Sequence, residues 1–284
     1  MADARPTDRP VPSLSPRLAA IAAHVPPGAR LADIGTDHAA LPVVLARMRH
    51  VVAAVAVDLR PGAVALANRM VVRHAVGDRV AVRRGDGLAA LREGEVDVVV
   101  ISGLGGSTIV RILAAEPTTL DTVGRLIVAP QSETWRVRRW LMTNGWSIVA
   151  EVLLRDGAQD YEILVTERGD PRAAYRWSGR PSQLRTASLL WLGPVLARAA
   201  EAHWQDRWRR AADDREALAD RTAANGSTRA IRAAGRHRRW AARTRSAVDA
   251  AKGAAERATE GSQSGSPTAP TGLRTSGDRA AVHA

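Results

Sequence analysis

Strand-length apolar runs that alternate with helical periods constrain this chain more than any other feature. Arg30–Ile34, His50–Val57, Arg79–Arg84, Val96–Ile101 and Arg125–Ala129 read as strands. His50–Val57 and Val96–Ile101 are apolar almost throughout, as a strand buried on both faces requires. Between the strands, Leu41–Met48, Gly62–His74, Ser107–Ala115 and Glu133–Asn144 read as helices. Pro42 is tolerated in a first turn, and Gly145 closes the last of the four. A short helix precedes them, opened by Ser15-Pro16 and ended by Pro26-Pro27-Gly28. Trp146–Leu154 and Tyr161–Glu167, joined by Arg155-Asp156-Gly157, read as a hairpin. The pattern predicts an α/β fold. Its sheet is Rossmann-like, doubly wound and mostly parallel, with an antiparallel strand at its end.

The pattern changes after Gly169. Leu184–Leu192 reads as a short helix, and Pro194 opens a longer one with Leu196, Trp204, Trp208 and Leu218 along one side. That stripe is read as the packing seam of a hairpin in preference to a base platform. Asn225-Gly226 stops this helix, and Ser227 caps another that runs to about Lys252. The expected organisation is a disordered lead over 1–13, a catalytic domain over 14–169, a basic helical hairpin over 170–254 and a disordered tail over 255–284. Of the net charge of +12, residues 1–169 contribute +2 and residues 170–284 contribute +10. Arg221–Val248 holds eight arginines and no acidic residue. This asymmetry points to a polyphosphate partner attached through the C-terminal module. The chain has no cysteine, which excludes disulfides and thiolate metal sites, and no metal is expected. No apolar run is long enough to span a membrane, and Met1–Pro12 lacks the apolar stretch of a signal peptide. A cytoplasmic protein is expected; the oligomeric state is left open.

The segment Asp33-Ile34-Gly35-Thr36-Asp37-His38 follows the first strand. A dinucleotide fingerprint needs three glycines to bring the backbone against a pyrophosphate. Only Gly35 is present, and Asp37 would repel a pyrophosphate. S-adenosylmethionine has no phosphate; its ammonium suits a carboxylate and its carboxylate suits backbone N–H groups. Asp58 ends the second strand, where an acid can accept from both ribose hydroxyls. Asp86, in Gly85-Asp86-Gly87, follows the third and can accept from an adenine amino group. Each alone could be a loop aspartate or a helix cap. Three at successive strand ends point to S-adenosylmethionine as cofactor.

Leu31–Ala39, Gly85-Asp86-Gly87, Ser102-Gly103-Leu104-Gly105-Gly106, Pro130-Gln131, Trp140–Trp146 and Tyr161-Glu162-Ile163 together resemble the bacterial tRNA (adenine-22-N1) methyltransferases, the TrmK-like family. The resemblance runs from about Leu14 to Arg168 and extends more weakly through Gly193-Pro194-Val195-Leu196. It implies a class I methyltransferase fold, a coiled-coil hairpin, tRNA as partner, and methyl transfer to N1 of an adenine in the D-arm region. Two segments depart from the family. Ser102-Gly103-Leu104-Gly105-Gly106 stands where Ala-Gly-Met-Gly-Gly is usual, and Ala129-Pro130-Gln131 where Gln-Pro-Asn is usual.

N1 of adenine is itself a nucleophile, so alignment with the methyl donor is the main task. The base must be unpaired and turned outward. Asp37 is the candidate for stabilising the charge that develops or accepting a proton, and capping the next helix is its other reading. His38 can contact cofactor or base, or be a satisfied loop residue. Asp33, Gly35, Asp58, Asp86, Gly87 and Gly103 are assigned to the cofactor. Gly105, Gly106, Pro130 and Gln131 are assigned to the substrate. Arg136 and Arg139 join them: Arg136, Arg138 and Arg139, with Trp135 and Trp140, form a helix that either contacts RNA phosphates and bases or is a solvated face with buried tryptophans. Other readings are a methyltransferase for another RNA, a DNA or a small molecule, and an RNA-binding protein with a decayed catalytic domain.

Overall fold

The computed structural model describes residues 10–177 and 180–263. Residues 1–9 and 264–284, most of the expected lead and tail, lie outside the described residues. Seven strands form one sheet: β1 (Ala29–Ile34), β2 (Val51–Asp58), β3 (Val80–Arg84), β4 (Val98–Ser102), β5 (Arg125–Ala129), β6 (Trp146–Asp156) and β7 (Gln159–Arg168). Their order is β3-β2-β1-β4-β5-β7-β6. β1 to β5 pair in parallel, and β7 runs antiparallel to both neighbours. The sheet is therefore the doubly wound one expected, with one difference. The antiparallel strand does not lie at the edge. The β6–β7 hairpin folds back so that β7 inserts beside β5 and β6 takes the edge.

Helices α1 (Pro16–Ala22), α2 (Ala40–Arg47), α3 (Pro61–Arg73), α4 (Gly106–Ala115), α5 (Pro117–Asp121) and α6 (Thr134–Thr143) belong to the same domain. Ser15 caps α1, its Oγ accepting from Leu18 N at 3.3 Å. α5 is only 5 residues long and has no counterpart in the sequence reading, since one turn is too short to show a period. The centre of the sheet is apolar on both faces: Leu31, Ala32, Val99, Val100, Leu126 and Ile127 are all fully buried.

The C-terminal part comprises α7 (Thr186–Leu192), α8 (Pro194–Ala199), α9 (Ala202–Ala223) and α10 (Thr228–Gln263). The helix expected to run on from Pro194 is broken at Ala200, whose φ is +46°. The break turns α9 so that Trp204 is buried and its Nε1 donates to Leu192 O at 2.8 Å. The side chain overrides the good helix propensity of Ala199–Ala202. α9 and α10 pack as the antiparallel hairpin expected. Their seam is lined by Trp204, Trp208, Ala212 and Ala219 against Ala234, Ala241, Val248 and Ala251. Ser227 caps α10, its Oγ accepting from Ala230 N at 3.2 Å. α10 ends at Gln263, well past the expected stop near Lys252 and past the boundary at 254. Ala254, Ala255, Glu256, Arg257 and Ala258 are good helix formers and outweigh Gly253 and Gly261.

Arg138 belongs to the core and does not face solvent, contrary to its reading as a phosphate contact. It is fully buried. Its Nε donates to Glu151 Oε1 at 2.7 Å and its other nitrogens reach Glu162, Leu190 O and Trp191 O. Glu151 Oε2 in turn accepts from Val195 N and Leu196 N, the first free amides of α8. Glu162 also takes Arg207 of α9 at 2.6 Å. Burial works against the charge on Arg138, and the two carboxylates outweigh it, so the guanidinium is held above its ordinary pKa. One ionic cluster thus ties α6, β6 and β7 to α7, α8 and α9. Gly193 makes room for it: a Cβ there would lie 2.8 Å from Arg138 and 2.9 Å from Glu151.

Candidate active site

The strand order reverses between β1 and β4, and a crevice opens there at the carboxyl ends of the strands. Its volume is 590 Å³. Asp33, Gly35, Asp37, His38, Asp58, Asp86, Gly87, Gly103 and Gln131 all line it, so the structure brings together the expected cofactor and catalytic positions from four strand ends and one substrate position, Gln131, from a fifth. Thr36, Arg60 and Arg111 line it too and were not singled out from the sequence. Their roles depend on which carboxylate they meet, which chain order does not reveal.

Asp33 sits one residue from the end of β1, in register with Ala56 and Val100. It is 5% exposed, and its Oδ2 accepts from the Thr36 hydroxyl at 2.6 Å. Burial dominates and pushes its pKa up to about 6, despite the Thr36 bond and the nearby His38. Asp58 behaves oppositely. Burial raises it, but bonds from Arg60 N, Arg60 Nε and Asp37 N outweigh burial and hold the carboxyl below its usual value. It is a fixed, ionised acceptor at the end of β2. Asp86 is half exposed and pairs with Arg111 at 3.2 Å.

Asp37 does not cap α2. The cap position is Ala39, in the left-handed region with φ +59°, and no side chain bonds to it. Asp37 is itself left-handed, with φ +54°. Non-glycine residues rarely adopt this conformation, and aspartate tolerates it better than most. Its side chain stands 56% exposed at the rim of the crevice, 3.0 Å from His38 Nδ1 and 3.4 Å from Arg60. The main-chain N–H holds Asp58 while the carboxylate faces outward.

The positions assigned to the substrate divide. Gln131 reaches the crevice, and Pro130 and Gln131 line a second cleft beside it. Gly105 and Gly106 bind the loop after β5 instead of presenting a surface. Gly106 N donates to Ser132 O, and a Cβ on Gly106 would lie 2.5 Å from Glu133 O. Arg136 and Arg139 are exposed on α6 and line neither cavity; Arg136 is paired with Glu133 at 2.7 Å and lies over Trp135. Trp140 is half-buried against the core.

On α10, Arg229, Arg232, Arg236, Arg239 and Arg243 are all exposed. Their spacing alternates three and four, which puts them on one helix face over about 21 Å. Among the described residues none of the five has a carboxylate partner, whereas Arg238 and Arg245 pair with Asp220, Asp213 and Glu216 of α9. The arginine run therefore splits into a paired inner set and a free outer stripe.

The comparisons with known proteins agree with this geometry. A family model described as a methyltransferase domain matches residues 14–164. The tRNA (adenine(22)-N(1))-methyltransferase of Bacillus subtilis (strain 168) is 34% identical over 195 residues, 69% of this chain and 79% of that protein. The crystal structure of the B. subtilis M1A22 tRNA methyltransferase TrmK superposes with a TM-score of 0.74 at 28% identity, over 84% of this chain and 98% of that one. Streptococcus pneumoniae Sp1610, solved in complex with S-adenosyl-L-methionine, gives 0.70 at 30% identity, over 84% and 99%. With a doubly wound sheet, acidic strand ends around one crevice and these relatives, the chain belongs to the tRNA (adenine(22)-N(1))-methyltransferase family.

Proposed function

We propose that the chain transfers a methyl group from S-adenosylmethionine to N1 of an adenine in tRNA, at position 22 in the D-arm region. One observation carries this reading: Asp33, Asp58 and Asp86 stand at three successive strand ends around a single crevice, with Asp37 on its rim. The crevice fits the cofactor. Its volume is that of a small-molecule site. Asp33 is a buried carboxyl that no ion pair among the described residues neutralises, and the cofactor's ammonium supplies one. Asp58 is held ionised and oriented for the ribose hydroxyls, and Asp86, in the loop after β3, lines the crevice where it can accept from the adenine amino group. Gly35, Gly87 and Gly103 keep the backbone close. When bound, the cofactor supplies an electrophilic methyl on a sulfonium.

The chain's own residues orient and neutralise. Gln131 meets the edge of the target base at the mouth of the crevice. The Asp37 carboxylate stabilises the positive charge that N1 methylation leaves on the adenine, or takes a proton from its exocyclic amino group. His38, in contact with Asp37, and Arg60 fix that carboxylate. The α10 stripe follows the tRNA phosphates. No helix among the described residues is long and apolar enough to cross a membrane, and the reaction belongs with tRNA in the cytoplasm. Asp37→Ala tests the assignment. Cofactor affinity by calorimetry should stay within about twofold, while transfer of labelled methyl to unmodified tRNA should fall by about 100-fold or more. Undiminished transfer would remove Asp37 from the chemistry.

A further inference from the structure

The cleft beyond Gln131 has a volume of 680 Å³ and lies between the start of α6 and helices α7, α9 and α10. Gln131 is the residue it shares with the cofactor crevice. Three tryptophans from three elements meet on its wall. Trp135 stacks on Trp191 at 5.0 Å, and Trp240 meets Trp191 edge-on at 6.4 Å. Trp191 is 39% exposed, far more than a packing residue requires. Trp208 also lines the cleft; it is 7% exposed, and its buried Nε1 has no acceptor among the described residues. The same holds for the Nε of Arg215, whose guanidinium lies 4.9 Å from the Trp240 ring. Buried donors without acceptors are costly and rare in native structures. With Arg207 Nη1, which belongs to the same lining and also has no acceptor among the described residues, three such donors on the wall of one aromatic cleft define the complement of a flat ring with acceptors on its edge.

We propose that this cleft is a subsite for an unpaired nucleobase of the tRNA other than the methylated adenine. The inference rests on the methyltransferase reading above. The methylated adenine must meet the donor on the Asp33–Asp58 side of Gln131, so the Trp208 side takes a neighbouring base. RNA is the occupant because Trp240 stands four residues after Arg236 and three before Arg243 on α10, on the flank of the arginine stripe, so a strand whose phosphates track the stripe delivers its bases here. Glu133 and Asp214 on the same wall disfavour a phosphate and leave the base as the part that enters. The base stacks on the tryptophans, as bases do on aromatic platforms, and its acceptors take the Trp208 and Arg215 N–H groups.

Trp208→Phe removes the indole N–H and keeps an aromatic ring; Trp191→Ala removes an exposed stacking face. In steady-state methylation of unmodified tRNA, both should raise the KM for tRNA, by about tenfold for Trp191→Ala. The loss should fall on KM and not on kcat, with cofactor affinity by calorimetry unchanged. KM values within about twofold of the parent's for both variants would overturn the proposal. So would a fall in kcat at unchanged KM, which would make the cleft the pocket of the reacting adenine. A parent enzyme that binds the cofactor but methylates no tRNA would overturn the underlying reading as well, and is distinguished from the first two results by the parent's own rate.

Discussion

At the scale of single residues, Asp33 and Asp58 show how one side-chain type serves two purposes. Both are 5% exposed, yet only Asp58 receives several N–H donors. Asp58 stays ionised, whereas Asp33 is left to be neutralised by a ligand. With a pKa raised to about 6, Asp33 keeps its proton in the folded, cofactor-free protein at pH values where the unfolded chain has lost it. Its contribution to stability is therefore fully present below the ordinary carboxyl value of 3.8 and is lost as pH rises through about 6. Binding an ammonium expels that proton. Calorimetry should find cofactor affinity constant above pH 6.5 or so and falling by up to about tenfold per unit below about pH 6, with one proton released per cofactor bound in the acid range. Asp33→Asn should bind weakly at every pH. An affinity flat down to about pH 5 would contradict this role.

Elements explain where sequence reading succeeds and fails. The acidic strand ends were legible because β1, β2 and β3 are short, apolar and closed by charged or glycine residues, so chain order alone puts Asp33, Asp58 and Asp86 on one edge. Arg138 was not. On α6 it reads like Arg136 and Arg139, and only its partners Glu151 and Glu162, brought by β6 and β7, make it a core residue. Likewise Trp204 breaks α8 from α9 through a bond to Leu192 that no local propensity foretells. Arg138→Met should destabilise the protein by roughly 3–5 kcal/mol in urea unfolding, because it strands Glu151 without a counter-charge; a loss below about 1 kcal/mol would mean the cluster is dispensable. The α10 stripe makes a separate claim. Arg232→Ala, Arg236→Ala and Arg239→Ala combined should lower the slope of log affinity against log salt for tRNA by about 2–3 and leave cofactor affinity alone. An unchanged slope would take the stripe off the phosphate backbone.

The whole molecule joins a nearly neutral catalytic sheet to a basic hairpin through the buried Arg138 cluster. The charge asymmetry between residues 1–169 and 170–284 was plain in the sequence, as were the sheet and the cofactor crevice. Less legible was the division of arginines into those that hold α9 to α10 and those without a carboxylate partner among the described residues, since both sets share one run of sequence. The aromatic cleft was invisible because Trp135, Trp191, Trp208 and Trp240 come from four separate helical segments. On the function proposed above, one module grips a folded tRNA and the other reaches an everted adenine. The most direct measurement is to incubate the protein with S-adenosylmethionine and unmodified tRNA transcript and map the modified nucleotide by mass spectrometry. A single N1-methyladenosine at position 22, lost when that adenine is replaced by guanine, is the result expected. Methylation at another nucleotide, or none in a protein that binds the cofactor, would contradict it.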